Sequence, residues 1–283
     1  MGTVAPSRPR ARRGSLVVHA EDGIVVRRDP DRSTGRMVLL GGMEASYVDI
    51  ADPAHLEFSY LRRIRDAIDA GHPHRAELDV VHIGGAGCAL ARHLAATRPA
   101  CRNEVLEYDP RVAAMARRVL GVHNTARLRL RVTDARPALE AKPDASVDVV
   151  VGDAFVDGLV PAHLSTVEFA ETVARVLRPG GLYALNVIDA PPLRISRAIA
   201  ATLLRVFDEV ALVAPPRVLR GRTLGNLVFC ATAAPLALDT LRVRAARDGE
   251  PTEVLHREGV TYFAAGAHPL HDGETWVGVV SRA

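Results

Sequence analysis

Val80-Val81-His82-Ile83-Gly84-Gly85-Ala86-Gly87 reads as a buried strand that runs into a glycine-rich turn, with a helix following over Cys88 to Ala96. Glycines let backbone amides approach a ligand closely, and a helix N-terminus adds partial positive charge. A tight connection with no ligand would use the same residues. The strict dinucleotide fingerprint is not met, because Leu90 stands where its third glycine would be.

Working outward, apolar strands alternate with helical stretches from about Asp79, which is the pattern of a parallel sheet with crossover helices. Asp79 to Ile83, Glu104 to Tyr108, Leu128 to Val132, Val147 to Gly152 and Leu182 to Val187 are the five expected parallel strands. Helices are expected over Pro110 to Leu120, Ala135 to Ala141 and Val167 to Leu177, the last opened by a capping box, Ser165-x-x-Glu168. A helix near Leu193 to Phe207 leads to an antiparallel pair, Val210 to Ala214 and Asn226 to Ala231. The fold class is therefore α/β: a Rossmann-like sheet of about seven mostly parallel strands with helices on both faces.

Upstream, Ser15 to His19, Gly23 to Arg28 and Met37 to Leu40 read as short strands of a small β module. Asp52-Pro53 reads as a helix start, with Leu56, Tyr60, Leu61, Ile64 and Ile68 on one face. The expected organisation is a mobile basic tail over 1–14, the β module over 15–50, a Rossmann-like nucleoside-binding catalytic domain over 51–234, and a C-terminal extension without clear period over 235–283.

The chain has 283 residues, 48% of them apolar and 24% charged, which fits a globular domain with a substantial core and excludes disorder. No apolar run reaches membrane-spanning length and no secretory pattern is present, so a cytoplasmic location without membrane contact is expected. Cys88, Cys101 and Cys230 lie far apart without metal-ligand spacing and read as reduced thiols. The net charge of +3 comes almost entirely from arginine, Lys142 being the sole lysine. With those arginines spread among acids and only 4% aromatic residues, nucleic-acid binding is not expected. His268-x-x-His271 with Asp272 and Glu274 reads as a solvated loop, and no metal is expected. His82, inside the first parallel strand, reads as a hydrogen-bonded core residue.

The chemistry-bearing residues fall at successive strand ends. Glu107 lies twenty residues after Gly87, the spacing of an acid that binds ribose hydroxyls. In Val132-Thr133-Asp134-Ala135, the Asp134 carboxylate beside the Ala135 amide suits an adenine amino group and ring nitrogen; a plain helix cap needs the same aspartate. Asp153, after Val149-Val150-Val151-Gly152, would face the reactive end of the bound nucleoside, and Val156 to Pro161 would close over it.

Leu56-Glu57-Phe58-Ser59-Tyr60, Ile83-Gly84-Gly85, Leu106-Glu107-Tyr108-Asp109, Val132-Thr133-Asp134-Ala135 and Asp153 together resemble the spermidine synthases, a family of aminopropyltransferases. Asp153-Ala154-Phe155 with Val160-Pro161-Ala162-His163-Leu164-Ser165-Thr166 is more similar to a divergent bacterial branch. The resemblance spans about residues 37 to 232. It implies a β module followed by a class I methyltransferase-type Rossmann domain, and a role in polyamine biosynthesis. Gly84, Gly85 and Gly87 would approach the sulfonium arm, Glu107 would hold the ribose, and Asp134 and Ala135 the adenine. Asp153 would be the catalytic aspartate that steers and deprotonates the attacking amine. Glu57, Tyr60 and Asp157 are the expected substrate-binding residues, converging from two segments over the nucleoside.

The pattern also departs from that family. Gly87 occupies the position of an aspartate that binds the aminopropyl amine, and Leu61 replaces a glutamine after the tyrosine. An early Leu-Asp-Gly segment has become Leu40-Gly41-Gly42, and Pro215 to Arg222, with Arg217, Arg220 and Arg222, replaces a tyrosine-bearing loop. Arginines repel a polycation. The implied co-substrate is decarboxylated S-adenosylmethionine or S-adenosylmethionine, and the partner is a small-molecule amine or other acceptor, with a homodimer the one protein assembly considered. Aminopropyl transfer is the leading expectation. Methyl transfer from S-adenosylmethionine and a non-catalytic nucleoside-binding or partner-binding role are its two alternatives.

Overall fold

The computed structural model describes residues 17–85 and 87–276. The expected basic tail over 1–14, Ala86 of the glycine turn and the last seven residues lie outside them.

Four antiparallel strands form the N-terminal sheet in chain order: β1 (Val17–Glu21), β2 (Ile24–Arg28), β3 (Gly35–Leu40) and β4 (Met43–Asp49). The last of these was not expected from sequence. It begins directly after the Gly41-Gly42 turn, where both glycines adopt positive φ, and its alternation is masked because Tyr47, Val48 and Asp49 are all buried. Helix α1 (Ser59–Gly71) follows. It does not start at Asp52-Pro53, because the Asp52 carboxylate accepts a bond from Arg32 Nη2 (2.9 Å) and one from the Ala54 amide (3.2 Å), closing a turn instead of a helix. The apolar face is as expected: Tyr60, Leu61, Ile64 and Ile68 are buried, and Leu56 packs ahead of the helix. Burial of such side chains, at roughly 1.5–3 kcal/mol each, fixes α1 without any capping side chain.

The main sheet contains β5 (Leu78–Gly84), β6 (Cys101–Glu107), β7 (Leu128–Val132), β8 (Val147–Asp153), β9 (Leu177–Asp189), β10 (Glu209–Ala214), β11 (Gly225–Thr232) and β12 (Glu253–His256). Its order is β12-β10-β11-β9-β8-β5-β6-β7, with β9, β8, β5, β6 and β7 mutually parallel. The five expected parallel strands and the antiparallel pair are all present. The sheet has eight strands where seven were expected, because the C-terminal stretch contributes β12 antiparallel to β10. That stretch also forms α8 (Leu238–Ala245) and α9 (Glu258–Ala264). Its four-residue strand is too short to show a period, and α8 has only two buried residues.

Between the strands lie α2 (Ala89–Thr97), α3 (Pro110–Val119), α4 (Ala135–Glu140), α5 (Val167–Val176), α6 (Arg194–Val206) and the short α7 (Pro216–Leu219). The capping box is displaced by one residue. Thr166 is the N-cap of α5 and accepts from the Phe169 amide (3.2 Å), while Ser165 Oγ donates to the Pro161 carbonyl (3.1 Å) and Glu168 turns to His271. Helices cover both faces. One core gathers Tyr183, Leu185 and Val187 with α5 and α6; the other gathers Val149, Val151, Leu182, Ala184 and Val228 with α1, α2 and the N-terminal sheet. No helix among the described residues is long and apolar enough to cross a membrane.

Candidate active site

Strand order reverses direction between β5 and β8, so their carboxyl ends open a crevice, the usual ligand site of such sheets. The register places Gly84 of β5 beside Asp153 of β8. Gly84 has a positive φ of 76°, and a Cβ there would lie 2.8 Å from the Asp153 carbonyl oxygen and the Ala154 Cα. Glycine is therefore required on both counts. A small pocket opens here, lined among others by Ser46, Tyr60, His82, Gly84, Gly85 and Asp153.

Gly87 is held differently. A Cβ at this position would meet Ser46 Oγ at 2.7 Å, Val48 Cγ1 at 3.2 Å and Leu120 Cδ1 at 3.3 Å. The N-terminal sheet thus fills the space in which an aspartate would stand, and a buried hydroxyl, that of Ser46, occupies it.

Asp153 sits half-buried at the strand end. Tyr60 Oη donates to its Oδ2 (3.1 Å) and Asn186 Nδ2 donates to its Oδ1 (3.0 Å). Among the described residues no arginine or lysine pairs with it. Burial among neutral groups pushes its pKa up to about 7, against the lowering pull of the two hydrogen bonds. The same burial and the nearby carboxylate raise the Tyr60 phenol well above its usual range, so it remains a donor. Phe58 stacks on the Tyr60 ring at 5.9 Å. Tyr60 and Asp153 lie 93 residues apart in sequence and are joined only by the packing of α1 over the sheet.

Asn186 is a site residue that sequence reasoning missed. The signal was there: an asparagine in the otherwise apolar run Leu182 to Val187, now 1% exposed. Its side-chain oxygen has no hydrogen-bond partner among the described residues. His82 behaves as a core residue, as expected. It is buried, shares a hydrogen bond with Asn103 Oδ1 (3.0 Å), and burial pushes its pKa down to about 4, which keeps the imidazole neutral.

The nucleoside-binding candidates stand at the carboxyl ends of β6 and β7, the next strands along the sheet from β5. Glu107 closes β6, half-buried, and accepts the Asp109 amide (2.9 Å). Asp134 follows β7 as the N-cap of α4 and accepts the Arg136 amide (2.9 Å), so the cap role is real. Its Oδ1 is also 3.7 Å from His163 Nε2, a contact from the loop after β8 that the sequence did not suggest. Ala135 is buried at the first position of α4.

Two expected substrate residues are not brought to Asp153 by any contact in the structure. Glu57 is exposed and pairs with His55 (2.9 Å), because it precedes α1 in an extended segment and turns outward. Asp157 is exposed at the tip of a hairpin in which Val156 and Leu159 exchange backbone hydrogen bonds of 2.9 and 3.0 Å. Its φ of 52° and that of Gly158, 79°, are those of a tight two-residue hairpin turn, which explains the Asp-Gly pair without a ligand. Of the arginines between β10 and β11, Arg217 pairs with Glu250 (3.2 Å) and Arg220 with Glu253 (3.7 Å), both acids of the C-terminal stretch. Among the described residues no cluster of histidines, cysteines and acids suits a metal ion; His271 instead pairs with Glu168 at 3.0 Å.

No family model matches the chain. A curated relative, polyamine aminopropyltransferase 2 of Streptomyces coelicolor, is 35% identical over 144 residues, or 47% of this chain. The match spans only a quarter of that relative's length. The fold of human methyltransferase-like protein 13, solved with S-adenosylhomocysteine, is shared at a TM-score of 0.54 with 17% identity, covering 77% of this chain and 96% of that one. The crystal structure of a probable spermidine synthase from Corynebacterium glutamicum superposes with a TM-score of 0.82 at 32% identity, covering 89% of this chain and 94% of that one. With that identity sustained over nearly the whole of both chains, the protein belongs to the spermidine synthase-like family.

Proposed function

We propose that the protein transfers an aminopropyl group from decarboxylated S-adenosylmethionine to a small amine. The observation that carries this reading is Asp153, a carboxylate at the carboxyl edge of the sheet whose hydrogen-bonding neighbours among the described residues are the neutral Tyr60 and Asn186. Its pKa of about 7 suits a group that must be ionised to attract an ammonium yet basic enough to take its proton. An Asp–Arg pair would suit this less well, since the arginine would make the acid a weaker base and repel the ammonium.

In this reading Glu107 accepts hydrogen bonds from the ribose hydroxyls, Asp134 and the Ala135 amide address the adenine, and the Gly84-Gly85 turn leaves room for the sulfonium arm. The acceptor nitrogen loses a proton to Asp153 and its lone pair attacks the aminopropyl carbon bonded to sulfur. The new N–C bond forms as the C–S bond breaks, and the bonding pair leaves with sulfur as neutral methylthioadenosine. The sulfonium is activated by its own charge, so positioning of the amine supplies most of the acceleration. The likeness to the Streptomyces aminopropyltransferase and the Corynebacterium structure supports the same reaction class.

Methyl transfer is the second reading, favoured by Gly87. The packing of Ser46 and Val48 against it leaves no space for a carboxylate that would hold a donor amine and reject the carboxyl group of intact S-adenosylmethionine. Incubation of the protein with each donor and an amine panel, followed by mass spectrometry, separates the readings. Methylthioadenosine with an aminopropylated amine supports the first and S-adenosylhomocysteine the second. No product from either donor supports a binding role alone.

A further inference from the structure

Asn226 is the second residue of β11, and among the described residues its side-chain oxygen is buried without a hydrogen-bond partner, as is that of Asn186. A buried amide oxygen left unpaired costs free energy, so the two at one sheet edge are acceptors with capacity for a donor from outside the chain. The register sets Asn226 opposite Ile188 and Asn186 opposite Val228. Residues two apart on a strand share a face, so both asparagines lie on the face covered by α1, as diagonal neighbours about 7–8 Å apart. Asp153 stands on the next strand beyond Asn186. The Asn186 amide N–H bonds the Asp153 carboxylate, which turns the Asn186 oxygen away from that carboxylate and leaves it free. Asp153, Asn186 and Asn226 therefore form a polar row from β8 across β9 to β11, leading away from the reacting edge.

Resting on the aminopropyl-transfer reading, we infer that Asn226 is an acceptor-specificity residue and that the acceptor lies along this row. Its reacting nitrogen sits at Asp153 with one N–H given to the Asn186 oxygen. A second hydrogen-bond donor at the far end of the molecule is received by the Asn226 oxygen. Asn226 offers a carbonyl dipole and no negative charge. The segment that leads into it carries Arg217, Arg220 and Arg222, of which the first two are balanced by acids among the described residues. The acceptor class is thus a short primary amine with a second donor group, for which an uncharged hydroxyl serves at least as well as a second ammonium.

Calorimetry on protein saturated with methylthioadenosine tests this, using 4-aminobutanol, 1,4-diaminobutane and n-pentylamine as probes. Wild type is expected to bind 4-aminobutanol at least tenfold more tightly than n-pentylamine, which has the same length and lacks the second donor. In Asn226→Leu that preference should fall below threefold with methylthioadenosine affinity retained. Asn226→Asp, which adds a charge with little change of shape, should shift preference toward 1,4-diaminobutane by tenfold or more. Equal binding of the two probes by wild type, or a tenfold preference surviving in Asn226→Leu, would overturn the assignment. Turnover with decarboxylated S-adenosylmethionine and the same amines keeps the two ideas apart. Absence of transfer would remove the functional reading while the binding preference still decides Asn226, and transfer without preference would remove Asn226 alone.

Discussion

The two halves of the crevice are built differently. On the proposed nucleoside side, Glu107 and Asp134 each already accept a backbone amide two residues ahead, so their carboxylates are oriented by the chain that carries them. On the proposed acceptor side, Asp153 is oriented by Tyr60 from 93 residues upstream and by Asn186 from 33 residues downstream, and two amide oxygens remain unpaired among the described residues. The first half is preorganised by local turns and the second by the docking of α1 on β9 and β11. The comparison teaches that donor binding should tolerate changes in α1, whereas acceptor chemistry should not.

The sharpest way to break this comparison is Asp153→Asn. Transfer should fall by about a thousandfold or more, in line with loss of a general base together with the charge that attracts the amine, while methylthioadenosine affinity stays within twofold. A single-turnover assay beside calorimetry reads both. Next in size, Glu107→Ala should weaken methylthioadenosine binding by tenfold or more, since charge-assisted hydrogen bonds to two ribose hydroxyls contribute about 1.5–3 kcal/mol each at best. Wild-type affinity in that variant would remove Glu107 from the site.

A stability effect of a few kcal/mol at most should accompany the loss of Asp153. Its folded pKa lies near 7, above the ordinary value of about 3.9, so the unfolded chain holds the proton less tightly than the folded one. The contribution of this proton is intact below about pH 4 and is lost as pH rises to about 7. Asp153→Asn should therefore raise the melting temperature at pH 8 and leave it nearly unchanged at pH 4, as differential scanning calorimetry can show. The smallest effect is expected at Asp157, where exposure at a hairpin tip leaves nothing to lose. Asp157→Asn should change the apparent Michaelis constant for the amine by less than twofold, and a tenfold rise would mean that the hairpin closes onto the acceptor.

Legibility in the sequence follows the same divide. The strand and helix alternation over Asp79 to Val187 is visible because each central strand is buried on both faces and each crossover helix has a single apolar stripe. Glu107 and Asp134 stand at the strand ends where their spacing from the glycine turn puts them, so their place in the sheet is legible. Asn186 and Asn226 gain meaning only when β9 and β11 are paired, and Ser46 only when β4 is laid against the glycine turn. Glu57 and Asp157 occupy positions in sequence that suit a pocket, whereas an extended segment and a tight turn leave both exposed and out of contact with Asp153. The eighth strand escaped notice since four half-buried residues at the sheet edge carry no alternation.

The claim at the centre of this account is that Asp153 takes the proton of the attacking amine. The most direct test is the pH dependence of single-turnover aminopropyl transfer, measured with two acceptors of different basicity. The expected result is a limb with an apparent pKa near 7 that stays in place for both acceptors and disappears in Asp153→Asn. A limb that moves with the basicity of the amine, or one that survives in Asp153→Asn, would contradict it.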